Sequence, residues 1–190
     1  VCIPRAKESS KVYRQRQLHF VRLAVSSIGD NVSEEAKDYI NNVLNEKRSE
    51  FGNKAVCPFA APELKANRLM IATVGEQGLI DLINDFGKSD YESALFVIKE
   101  DVPAKQTKKF QYFVDQLLKQ QGLNQYRNIC LNPNDDVDAD GYNPRAQSPY
   151  FMINISKKTA ISKAHRALKR TNYYDKMSNN YRKFLNLKDK

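Results

Sequence analysis

At 190 residues, with 41% hydrophobic residues, ten Tyr and nine Phe, the chain has the length and apolar content to bury a sizeable core, which excludes an intrinsically disordered protein. No apolar run approaches the ~18 residues of a membrane-crossing helix, and the start, VCIPRAKESSKVYRQRQ, lacks the apolar segment of a secretory signal. The net charge of +9 is uneven: residues 1–22 hold six Lys/Arg against one Glu and residues 157–190 hold eleven against two Asp, so 23–156 carries −5.

In chain order, Val12, Leu18, Val21, Val25 and Ile28 recur at helical spacing behind Ser9 and Ser10, and Gly29 stops them. Ser33 opens a second predicted helix to Phe51, with Glu34 and Glu35 in its first turn, where the helix dipole favours them, and Gly52 at its end. A strand follows at RLMIATV, a helix at LIDLINDF, a strand at SALFVIKE and an amphipathic helix at KKFQYFVDQLLKQQG. YRNICLN and PYFMINI read as further strands, and basic helices occupy TAISKAHRALKRTNYYDKMSNNYRKFL. Strands alternating with helices predict an α/β or α+β domain, with about four strands in a central sheet and helices packed on it. The expected organisation is a basic helical extension over 1–32 and one domain over 33–190 that ends in basic helices.

Cys2, Cys57 and Cys130 are odd in number and far apart, which argues against a disulfide scaffold or thiolate zinc site and predicts a reducing, cytoplasmic setting. Two proline-stiffened corners stand out. In VCPFAAPEL, Cys57 is either a nucleophile, given a nearby cation or helix N-terminus, or a buried structural thiol. In NPRAQSPYF, Pro144 and Pro149 hold Arg145 and Ser148 at a strand entrance, with Tyr150 beside them. These four residues are the catalytic candidates, expected to share a pocket mouth.

The loop over 132–149 is long enough to be functional. Asp136, Asp138 and Asp140 before Gly141 match the first half of a calcium loop, D-x-D-x-D-G, although its twelfth position is Gln147 rather than a bidentate Glu. The same aspartates suit an acidic turn that bonds its own backbone, or ion pairing with the basic C-terminal helices. His165 lies among Lys163, Arg166, Lys169 and Arg170, whose like charge favours a neutral imidazole able to ligate a metal. A solvated helix histidine is the other reading.

The segments CPFAAPELKANRLMIATV, LINDF, ALFVI, FQYFVDQLLK, NPRAQSPYFMINI and ISKAHRAL, over roughly residues 33–168, resemble the YqcI/YcgG family. They also resemble related bacterial families of unknown function with CPFA and SPxPM-like motifs. Some YqcI/YcgG members are haem-dependent oxygenases that hydroxylate nitrogen on amino-acid side chains. The resemblance implies a small-molecule enzyme of amino-acid or natural-product metabolism. It places haem iron on His165, with Lys163, Arg166 and Arg170 meeting haem propionates or a substrate carboxylate. The alternative is a nucleic-acid or acidic-partner binding module, in which Tyr173, Tyr174, Tyr181 and Phe184 interleave with Lys176, Arg182 and Lys183. The same spacing suits a helix that buries its aromatics.

Overall fold

The computed structural model describes residues 30–75, 78–136 and 144–176. The first predicted helix lies outside them. The second begins earlier than expected, at Asp30: α1 (Asp30–Tyr39) continues as a π-helical turn, Ile40–Leu44. Val32, assigned by sequence to the extension, is a core residue at the start of α1.

The helix also ends earlier than expected, at Leu44 rather than Phe51. Lys47–Arg48 (β1) and Lys54–Ala55 (β2) pair as a short antiparallel hairpin around a 3-10 turn, Ser49–Phe51. Gly52 and Asn53 both adopt left-handed backbone at its tip. That conformation favours Gly and Asn, which is why the chain reverses here. A helix that composition did not reveal, α2 (Ala60–Lys65), follows; its Pro62 sits in the first turn, where no intrahelical N–H is needed.

The main sheet has the order β3 (Leu69–Thr73), β4 (Ser93–Ile98), β6 (Phe151–Lys157), β5 (Tyr126–Leu131). β4 runs parallel to β3, and β6 runs antiparallel to both β4 and β5. Thus β3, β4 and β5 point the same way. Their carboxyl ends share one edge of the sheet with the start of β6. Two helices connect the codirectional strands: α3 (Gly78–Lys88) joins β3 to β4, and α4 (Ala104–Gln120) joins β4 to β5. The chain is therefore an α/β fold with helices packed on a small sheet.

Alternation along the strands divides the core between two faces. Ala94, Phe96 and Ile98 of β4, with Ile153 and Ile155 of β6, meet Leu82, Ile83 and Phe86 of α3 and Val114 and Leu118 of α4. Phe86 is fully enclosed, with its ring against Tyr126 at 5.0 Å and Phe96 at 6.4 Å. Truncating such a ring costs about 3–5 kcal/mol. On the other face, Leu95, Val97 and Met152 meet Val32, Ala36, Tyr39 and Ile40.

A satellite cluster lies off the sheet. Phe51 and Val56 from the hairpin region pack with Leu168, at the end of α5 (Lys158–Leu168), and with Tyr173 and Tyr174 of a 3-10 turn. The Tyr173 hydroxyl donates to the Val56 carbonyl, which staples the segment after α5 to the hairpin.

Candidate functional site at the carboxyl edge of the sheet

The loops that leave β4 and β5 and the loop that enters β6 meet at the carboxyl edge, where open α/β sheets place their ligands. Asn132, directly after β5, is fully buried. Its Nδ2 donates to the Val102 carbonyl and to Thr107 Oγ1, both at 2.8 Å. Its Oδ1 accepts the Asn134 N–H at 2.9 Å. Since Thr107 Oγ1 already accepts from Asn132, the threonine proton is committed outward. It goes to Asp135 Oδ1 at 3.1 Å. The other carboxylate oxygen, Oδ2, faces Arg145 Nη1 at 3.4 Å.

A relay of side chains from the strand ends thus fixes the orientation of one carboxylate against one guanidinium. Both partners are largely enclosed, so their attraction is screened less than that of a surface pair.

Arg145 is held from behind as well. The Tyr39 hydroxyl donates to the Pro144 carbonyl at 2.7 Å, and Ser148 Oγ donates to the Arg145 carbonyl at 2.7 Å. Ser148 is buried, and its hydroxyl closes this turn. Tyr150 packs against the α1 face of the sheet. Its bond to Glu35 raises the phenol pKa, with burial the second cause. Asn134 joins the loops after β4 and β5 by donating to Asp101 Oδ1 at 2.6 Å. Glu100, also after β4, has a buried Oε2 without a hydrogen-bond partner among the described residues.

Of the residues singled out by sequence, Arg145, Ser148 and Tyr150 come together at this edge. Cys57 follows Val56 of the satellite cluster, its amide bonded to the Leu44 carbonyl. Burial raises its thiol pKa and outweighs the lowering by the backbone at Phe59 and Ala60. Cys130 is likewise raised, first by burial and then by the charge of Asp115.

His165 is on α5, which starts from the opposite edge of the sheet. Its ring meets Tyr174 edge-on at 6.3 Å. Burial lowers its pKa first, followed by the charges of Arg127 and Lys169. Lys163, Arg166 and Arg170 are exposed. They follow the solvent side of α5, whereas His165 leans toward the satellite cluster. The imidazole and the three bases thus stand on different sides of the helix.

Of the calcium candidates, Asp136 is exposed, and Asp138 and Asp140 lie outside the described residues. Among the described residues, no three His, Cys, Asp or Glu are arranged to hold a metal ion, and no helix is long and apolar enough to cross a membrane. No family model, curated protein or solved structure matches the chain.

Asn132, Thr107 and Asp135 were missed by sequence reasoning. Asn132 stands where a turn begins, before Pro133, and reads as turn chemistry.

Proposed function

We propose that this protein acts on a small molecule of amino-acid or natural-product metabolism, bound at the carboxyl edge of the sheet. The observation that carries this reading is the buried Asn132–Thr107–Asp135 relay that holds a carboxylate against Arg145. A polar network of this kind is costly to bury and rigidifies what it touches. Positioning of this quality suits a site that must hold groups in fixed geometry.

The edge offers both signs of charge. A guanidinium forms a fork for a planar carboxylate. Asp135 and the unpartnered oxygen of Glu100 can accept from an ammonium or guanidinium. A substrate with a carboxylate at one end and a cationic nitrogen at the other, as in an amino acid, matches this pairing.

The test is calorimetric titration of each standard L-amino acid into the protein at about 10 mM, with Arg145→Ala in parallel. At least one amino acid should bind, and loss of the guanidinium should weaken it about 10- to 100-fold. Absence of binding by every amino acid, or equal heats for both proteins, sinks the reading.

A further inference from the structure

The exposed side of α5 and the turn after it present Lys163, Arg166, Lys169 and Arg170 to solvent. The helix itself, KTAISKAHRAL, contains no acidic residue. Elsewhere six carboxylates of the body serve local cations. Glu34 pairs with Lys37, Glu46 and Glu50 with Arg48, Glu63 with Arg68, Glu92 with Lys157 and Asp135 with Arg145. No carboxylate among the described residues pairs with any of the four α5 bases.

Cations in a last helical turn do complement the helix dipole, which accounts for Arg166 and Lys169 singly. It does not account for Lys163 in mid-helix, nor for the absence of a compensating acid among the described residues. Lys163, Arg166 and Arg170 stand three and four residues apart, a row about 10 Å long on one side.

We propose that this face of α5 grips the phosphate backbone of double-stranded nucleic acid without reading its sequence. Three features select that partner among polyanions. Ser162 and Thr159, also exposed on this helix, carry hydroxyls of the kind that bind phosphate. The exposed positions include no large apolar side chain to enter a lipid interface. Of the aromatic residues that could stack unpaired bases, Tyr173 and Tyr174 are buried in the satellite cluster, with their rings edge-to-face at 5.0 Å, and Tyr181 and Phe184 lie outside the described residues. Charge without an aromatic platform beside it among the described residues suits a duplex backbone.

The test is fluorescence anisotropy of a labelled DNA duplex of about 20 bp with the full chain and with K163E/R166E/K169E/R170E. The duplex should bind at low salt. The slope of log affinity against log salt should be steeper for the wild type by about 3 to 4, and the variant should bind about 100-fold more weakly. Circular dichroism confirms that the variant is folded; should it not be, the four-Gln version carries the same test with a smaller drop. Equal binding by wild type and variant overturns the proposal. So does tighter binding of a single strand of the same sequence, or of phosphatidylserine vesicles, or no duplex binding at about 50 mM salt.

Discussion

The carboxyl edge and the α5 face both concentrate charge, and they treat it in opposite ways. At the edge, Arg145 meets a carboxylate whose direction is set by Thr107 and Asn132. Every group there depends on a neighbour, and the network is anchored in a fully buried asparagine. On α5 and the turn after it, four exposed cations have no carboxylate partner among the described residues, and the helix holds its place through Leu168 and the aromatic cluster beneath it. The contrast separates positioning from attraction. A site that must orient a small molecule invests in hydrogen bonds behind it. A surface that needs only to attract a polyanion leaves its charges mobile and unneutralised.

Substitutions break this comparison in a graded way. The largest effect is expected at Asn132. Asn132→Ala removes one donor to the Val102 carbonyl, the donor to the buried Thr107 Oγ1 and the acceptor of the Asn134 N–H, and leaves a cavity at a fully buried position; denaturant unfolding should register a loss of about 2–4 kcal/mol. A loss below about 0.5 kcal/mol shows that the relay does not hold the edge together.

Next is Gly52→Ala. A Cβ there falls 2.5 Å from Asn172 Oδ1 and 2.9 Å from the Asn172 carbonyl oxygen, on left-handed backbone. The conformation alone costs about 1–2 kcal/mol, so unfolding should show at least that, with the satellite cluster loosened first in hydrogen exchange. Tyr173→Phe removes the hydroxyl bond to Val56, for a loss of about 1 kcal/mol by the same unfolding measurement. Reversing Lys163 or Arg166 singly should leave stability within about 0.5 kcal/mol, while duplex binding falls.

The smallest expected effect concerns pH. The folded state holds His165 below its ordinary pKa, so the unfolded chain binds the proton more readily. His165 therefore withdraws stability as pH falls from the ordinary histidine range toward its lowered folded value, and has no such effect above that range. His165→Gln should flatten the stability profile over that interval. A profile of unchanged slope removes the histidine from the account.

The elements with strong periodicity were legible. SALFVIKE, YRNICLN and PYFMINI became β4, β5 and β6 within two residues, because five- to seven-residue runs of branched and aromatic side chains have few alternatives to a buried strand. The hairpin was not legible: two-residue strands have no period, and Phe51 continued the helical stripe until Gly52 and Asn53 turned the chain. Prolines mark the corner that holds Arg145 and Ser148. The surroundings of Cys57 depend on Tyr173 bonding Val56 across 117 residues, a pairing no local pattern announces. Tyr173 and Tyr174 showed helical spacing compatible with stacking or burial, and the fold buries them.

The position of β6 constrains how the molecule comes into being. This strand is encoded after the long loop, yet it lies between β4 and β5. A growing polypeptide can bring β3 beside β4 as soon as α3 has emerged. β5 then has no partner to zip against until the stretch through Lys157 is available. Assembly should thus proceed in two acts, with the carboxyl-edge loops converging only in the second, and a chain truncated before Phe151 should expose both unpaired strand borders to aggregation.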